Sequence, residues 1–179
     1  MIITIDGPAA SGKSSIANKL AKQLGFVCIK SGMLYRALAS VLMNNGLDFT
    51  KFSAISKEDI QKAAAVIQSA YEENNFLVLI NGYPCNHVVE SDKFDDPASY
   101  IAKNPEIRAA INNMQQLFAK KFPNVVVEGR DTGTVVFPDA EIKFFLTASL
   151  EVRASRLQHD IMQRGELITF DQAIVFIKE

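Results

Sequence analysis

The chain has 179 residues, 48% of them apolar and 22% charged, with a formal net charge of −1. This is a globular composition with material for a core, and its length suits one main domain with a small insert; it excludes a disordered chain. The near-zero net charge argues against holding a polyanion by bulk charge, so no nucleic-acid partner is expected.

The chain opens with a β-branched run, Ile2 to Ile5, that reads as a buried strand ending at Asp6. Gly7-Pro8-Ala9-Ala10-Ser11-Gly12-Lys13-Ser14 follows and matches G-x-x-x-x-G-K-S/T, with Ser15 next to it. Ile16, Ala17, Leu20, Ala21 and Leu24 then recur at helical spacing up to Gly25, which is expected as a left-handed cap. Strand, glycine loop and helix in this order form the context of a phosphate-binding P-loop. Its backbone N–H groups and the positive helix end would face one anion. Lys13 would reach the outer phosphates and the Ser14 hydroxyl would ligate Mg²⁺. A nucleoside triphosphate is the expected ligand.

Phe26 to Ile29 reads as a second strand, leading into the polar stretch Lys30-Ser31-Gly32-Met33-Leu34-Tyr35-Arg36. A helix bearing Leu34, Leu38, Val41 and Leu42 ends at Asn44-Asn45-Gly46. Alternation of strand and helix favours an α/β fold with a parallel sheet. Ser56 to Asp59 resembles a capping box for a helix running to about Gln68. Phe76 to Ile80 is a strand, Asn81-Gly82 a hairpin signal, and a weaker strand is expected through Val88 and Val89. A hairpin inside a βα chain suggests an inserted subdomain.

Asp96-Pro97 and Asn104-Pro105 each read as a cap followed by proline at the first helical position. The second of these helices carries Ile107, Ile111, Met114, Leu117 and Phe118 on one face. Val125 to Val127 reads as a strand buried on both faces, and it ends in Glu128-Gly129-Arg130-Asp131. Ile142 to Leu146 is a further strand. Ser149 would cap a helix carrying Arg153, Arg156 and Arg164, which ends at Gly165. Thr169 to Gln172 forms a capping box for a last helix reaching Glu179.

In an open α/β sheet, ligands sit beyond the carboxyl ends of the strands. The clusters at Lys30 to Arg36 and at Glu128 to Asp131 therefore belong beside the P-loop. The sequence has only six arginines, and Arg36, Arg130 and Arg108 are expected where a second anion is held. That suits phosphoryl transfer to a phosphate acceptor, whose second pKa of about 6 makes it a nucleophile without a histidine base. Such an acceptor needs bidentate clamps, the work of Arg36 and Arg130. Glu128 follows an apolar strand, where P-loop enzymes orient Mg²⁺; the alternative is a solvated carboxylate. Asp131 could ligate metal, cap a turn or read a base. Arg153 and Arg156 could close over the donor phosphates as a lid, or form a charged helix face.

Cys28 and Cys85 are the only cysteines, and His87 and His159 are too few and too separated to build a metal site; the lone thiols suggest a reducing compartment. With no basic leader and no apolar run of membrane-spanning length, the expected location is cytoplasmic, with no membrane partner. No N-K-x-D guanine signature occurs, which argues against a GTPase switch.

The P-loop, the segment Ser31 to Arg36 and above all Gly129-Arg130-Asp131-Thr132-Gly133-Thr134-Val135-Val136-Phe137-Pro138-Asp139-Ala140 resemble bacterial cytidylate kinases, a family of P-loop nucleoside monophosphate kinases. The resemblance runs from residue 2 to the end and is weakest between Leu47 and Glu90. It implies an α/β parallel sheet flanked by helices, with an inserted monophosphate-binding subdomain and a mobile lid. It also implies transfer of the terminal phosphate of ATP to CMP or dCMP with Mg²⁺, giving ADP and CDP or dCDP. In a single domain of 1–179, the core would be 1–46 and 104–148, the insert 47–103 and the lid region 149–179. Arg36 and Arg130 would hold the acceptor phosphate, Ser31, Arg108 and Asp131 would serve pyrimidine recognition, and Ser99 would lie near sugar or base. Residues 7–15 would hold ATP, Ser14 and Glu128 the metal. A monomer is expected. Lys30 and Glu128 stand where the family has aspartate, and Leu157 replaces a frequent arginine. The family continues past Glu179 with an Arg/Asp-rich lid segment, a strand and a helix, so the lid region is expected to be incomplete and that part of the fold absent. The alternative is a truncated or degenerate nucleotide-binding module without turnover.

Overall fold

The computed structural model describes residues 1–47, 55–89, 95–163 and 165–178. Expectations for Arg164, for Glu179 and for residues 48–54 and 90–94 lie outside them. The chain begins with β1 (Ile2–Asp6), α1 (Lys13–Leu24), β2 (Val27–Lys30) and α2 (Ser31–Asn44). Far along the chain, β6 (Val125–Gly129) and β7 (Ile142–Phe145) complete a parallel sheet in the order β2-β6-β1-β7. β1 and β6 are the inner strands, which is why their residues are almost uniformly buried.

Side chains alternate between the two faces. Val126, Cys28, Ile3 and Ile5 pack against Ala17 and Ala21 of α1. Val125, Val127, Val27 and Ile29 face the larger core built by α2 and the elements that follow it. α1 is held by its small residues. Its Ile16 and Leu24, expected on the buried face, are exposed. Gly25 is in the left-handed region, φ 68°, as expected.

Between α2 and β6 lie α3 (Lys57–Ala65), a second sheet of β3 (Ile67–Glu72), β4 (Asn75–Ile80) and β5 (Tyr83–Pro84), then α4 (Asn86–Val89), α5 (Asp95–Ile101) and α6 (Pro105–Ala119). α3 has the expected cap: the Ser56 hydroxyl accepts from the Asp59 N–H at 3.0 Å. It stops at Ala65 rather than Gln68, because Ile67 to Glu72 pair antiparallel with β4. The hairpin is closed by Glu73 and Asn74, both at positive φ. Val88 and Val89 are helical, not a strand. The Asn86 side chain takes the strand's place on the edge of β4, accepting from Val78 N–H and donating to the Phe76 carbonyl, each at 2.9 Å. α5 starts at Asp95, so Asp96 and Pro97 lie in its first turn.

α6 is capped as expected, Asn104 Oδ1 accepting from the N–H of Glu106 and Ile107. Its buried stripe is Ile107, Ile111, Gln115 and Phe118; Leu117, expected inside, is 54% exposed. α7 (Leu150–Gln163) and α8 (Phe170–Lys178) close the chain, the latter entered through the reciprocal Thr169–Gln172 capping box. All four residues of β7 are exposed, as an outer strand permits.

One carboxylate joins the two inner strands beyond their ends. After β6 the chain makes a π-turn, Thr132–Val136. Buried Asp6, the last residue of β1, receives Thr132 N–H at 2.8 Å and Thr132 hydroxyl at 2.6 Å on Oδ1, and Gly133 N–H at 2.8 Å on Oδ2. Asp6→Asn puts an amide donor against these donors, and the expected loss is about 2–3 kcal/mol, a fall in melting temperature of roughly 5–10 °C by calorimetry.

Cys28 gives a pH dependence. Burial, reinforced by the negative charge of Glu128, pushes its thiol up to about 12. The unfolded thiol ionises first, so this contribution to stability is intact below pH 9 and is lost as pH rises towards 12. Cys28→Val should flatten the decline in unfolding free energy, read from denaturant titrations, across that interval by up to about 1.4 kcal/mol per pH unit.

Candidate active site

The P-loop spans the turn from β1 to α1 at the carboxyl end of the sheet. Gly7 has φ 154°, and a Cβ there would collide with the Leu146 carbonyl oxygen, so β7's end presses directly on the loop. Ala10, at φ 56°, and Gly12, at φ 96°, are left-handed, the alternation that turns successive N–H groups to one side. Lys13 Nζ donates to the Pro8 carbonyl at 2.7 Å. Burial lowers the Lys13 pKa, with Arg130 and Arg153 adding to the effect and Glu128 and Asp6 opposing it. Ser11 is buried and its hydroxyl has no hydrogen-bond partner among the described residues; the same holds for Arg153 Nε. Ser14 and Ser15 are exposed in the first turn of α1.

Glu128 is buried at the end of β6, opposite Lys30 of β2 in the sheet register. Burial raises its carboxyl pKa above the ordinary range; Lys13, a hydrogen bond from the Ser14 hydroxyl, Lys30 and Arg36 pull it back. Glu128 is therefore not the solvated carboxylate of the alternative reading. The reversed charge at Lys30 faces a carboxylate and supports its ionised form. Among the described residues no cluster of three or more His, Cys, Asp or Glu side chains could cage a metal. A hydroxyl and one carboxylate side by side fit a Mg²⁺ that would take its remaining ligands from phosphates and water.

Beyond Glu128 the chain turns sharply. A Cβ on Gly129 would come within 2.5 Å of Thr132 Cγ2 and 3.2 Å of Ser31 Cβ, so the end of β6 packs against the first residue of α2. α2 begins at Ser31 itself, so the polar stretch read from the sequence is its first turn, with Ser31 buried. Arg130 is exposed and Arg36 half-buried. Arg108, from α6, is ion-paired and hydrogen-bonded to Asp131 Oδ2. Tyr35 belongs to this cluster: burial, with Asp131 adding to it and Arg108 opposing, pushes its phenol up to about 12.

The structure thus brings Lys13, Ser14, Lys30 and Arg36 around the buried Glu128 carboxylate, with Arg130 near Lys13, and gathers Arg108, Asp131 and Tyr35 into a neighbouring group. Arg153 and Arg156 reach the loop from α7. Arg153 Nη1 lies 3.5 Å from the Ala9 carbonyl, and Arg156 Nη1 lies 2.9 Å from that of Ser11. Ser99 is exposed on α5, and no side-chain hydrogen bond ties it to either group among the described residues. Sequence reasoning missed Asp6 and Tyr35. A charged residue ending an apolar inner strand was the available signal for Asp6; Tyr35 carried none beyond its place between Ser31 and Arg36.

The model of the family described as Cytidylate kinase matches residues 3–179. A cytidylate kinase of Pelotomaculum thermopropionicum is 37% identical over 177 residues, covering 99% of this chain and 77% of that protein. One from Rhodopseudomonas palustris is 37% identical over 185 residues, covering 98% and 74%. A solved structure from Thermus thermophilus is similar in fold, with a TM-score of 0.50 at 14% identity over 99% of this chain and 78% of that one. The parallel sheet, the P-loop and a family match over nearly every residue agree: the chain belongs to the cytidylate kinase family.

Proposed function

We propose that the chain transfers the terminal phosphate of ATP to CMP or dCMP, giving ADP and CDP or dCDP. The observation that carries this reading is the pair of unpartnered buried donors, Ser11 Oγ and Arg153 Nε, beside Lys13 on a loop whose N–H groups turn to one side. Phosphate oxygens would satisfy those donors, and Lys13 Nζ would exchange the Pro8 carbonyl for them. The negative charge of the donor would also restore the Lys13 pKa that burial lowers.

The acceptor end follows from the arginines. A nucleoside monophosphate is already largely dianionic at neutral pH, so it needs positioning and charge neutralisation rather than a base. Arg36, near Glu128, and Arg130, near Lys13, would supply this. Ser14 and Glu128 would hold Mg²⁺, which would supply positive charge to offset that of the phosphates. Asp131 accepts a hydrogen bond from Arg108 and would accept one from the exocyclic amine of cytosine, while Arg108 would donate to ring acceptors. On this reading residues 47–103 form the monophosphate-binding insert and 149–179 the lid region, with Arg153 on the donor phosphates.

The test is ADP release with Mg-ATP against CMP, dCMP, UMP and AMP, with Lys13→Ala as control. CMP and dCMP should lead, UMP follow and AMP be poor. AMP turnover equal to CMP would sink the specificity, and no turnover with any acceptor would leave a binding module. Arg130→Ala should lower kcat/KM for CMP about 100-fold while leaving KM for ATP within a factor of about three, because the clamp acts on the acceptor. Asp131→Asn should lower the preference for CMP over UMP about tenfold or more without weakening ATP binding, read from kcat/KM ratios.

A further inference from the structure

The two arginines of α7 meet the P-loop in different ways. Arg153 makes one long contact, to the Ala9 carbonyl, and keeps a buried donor without a partner. Arg156 places a single Nη1 atom 2.9 Å from the Ser11 carbonyl and 3.4 Å from the Ala10 carbonyl, and 3.6 Å from where a Gly12 Cβ would stand.

Those two oxygens belong to consecutive peptide units. In a trans peptide the C=O and the N–H point in opposite directions. The Ala10 carbonyl shares its plane with the Ser11 N–H, and the Ser11 carbonyl shares its plane with the Gly12 N–H. A guanidinium bonded to both oxygens therefore fixes both N–H groups towards the other face of the loop, where an anion would sit. A cation on a carbonyl also polarises its peptide, making the N–H a stronger donor. The loop needs such a hold, because Ala10 sits at φ 56°, a conformation an alanine rarely keeps unaided.

The geometry assigns Arg156 as a positioning residue for the donor phosphate: it grips the Ala10–Ser11 and Ser11–Gly12 peptide units from their carbonyl side, so that their N–H groups face the phosphate, and does not touch the phosphate itself. This assignment rests on the reading of the loop as the ATP site. It separates two arginines that the sequence treats as a pair: Arg153 offers a donor to the ligand, Arg156 shapes what receives the ligand. Since a P-loop holds the phosphates common to ADP and ATP, loss of Arg156 must weaken both equally. An arginine on the transferring phosphate would affect ATP alone.

The experiment uses Arg156→Ala and Arg156→Lys in the full chain, with ADP and ATP titrated by calorimetry in Mg²⁺. Backbone amide resonances of Ser11 and Gly12 are followed without nucleotide. In Arg156→Ala both resonances should move before any nucleotide is added, and both affinities should fall by the same factor, about tenfold. Lysine, which can still donate to carbonyls, should recover both to within about threefold of the original. Weakening of ATP alone, unchanged affinities or unmoved amide resonances would each overturn the assignment. Arg156 is exposed, so the alanine variant should fold; if it does not, the ADP and ATP comparison in Arg156→Lys decides, since unequal losses there also contradict it. Failure of the unmodified chain to bind either nucleotide would instead overturn the ATP reading itself.

Discussion

The carboxylate of Asp6 is the constraint on which the rest of the site depends. It ends one inner strand and receives three hydrogen bonds from the turn that follows the other. The P-loop begins at the next residue, and Glu128, Arg130 and Asp131 immediately precede that turn. One buried side chain therefore sets the spacing between the P-loop and the segment Glu128 to Asp131. Packing supports the same geometry. The Leu146 carbonyl presses on Gly7, and Ser31 and Thr132 leave Gly129 no room for a side chain. A site made of polar loops thus stands on a rigid parallel sheet, which is what alignment of two nucleotides for transfer requires.

The electrostatics follow from burial. Glu128 and Lys13 are each pushed towards neutrality by loss of water, and each is restored mainly by the other. Neither charge is affordable alone in that position. Lys30, across the sheet from Glu128, and Arg36 add positive charge near that carboxylate, while Arg130 and Arg153 do so near Lys13. Around Glu128 and Lys13 cations outnumber carboxylates, an arrangement relaxed by anions of the size and charge of nucleotide phosphates.

Much of this is legible in the sequence because local chemistry dictates it. The P-loop, the caps at Ser56, Asn104 and Thr169 and the left-handed Gly25 each act within a few residues, and each stands where the pattern puts it. The parallel order and the α/β class follow from the alternation of elements. What the pattern misses is decided by distant partners. Ile67 to Glu72 lack a strong strand signature and become a strand only because β4 lies alongside. Val88 and Val89 look like a strand, yet the Asn86 side chain already supplies the hydrogen bonds a strand would have made. Burial of Gln115 rather than Leu117 depends on which neighbours α6 meets, which hydrophobicity alone does not encode. Within the site, the residue types are legible and their pairing is not. The bond between Arg108 and Asp131, the place of Tyr35 beside them, and the hold of Arg156 on the loop backbone all arise from separate elements meeting in space.

The strand register has a consequence for how the molecule comes into being. β1 leaves the ribosome before its partners, Val125–Gly129 and Ile142–Phe145. Until those segments have been synthesised, Ile3 and Ile5 have no sheet to enter, and Asp6 has no turn to grip. α2, α3 and the β3–β4 hairpin, whose contacts are closer along the chain, can form while the first strand waits. The nucleotide loop, earliest in sequence, is thus among the last parts to acquire its shape, and closing so long a loop slows the step that creates it. A growing chain that stops short of β6 cannot yet offer a phosphate anything firmer than a flexible glycine turn.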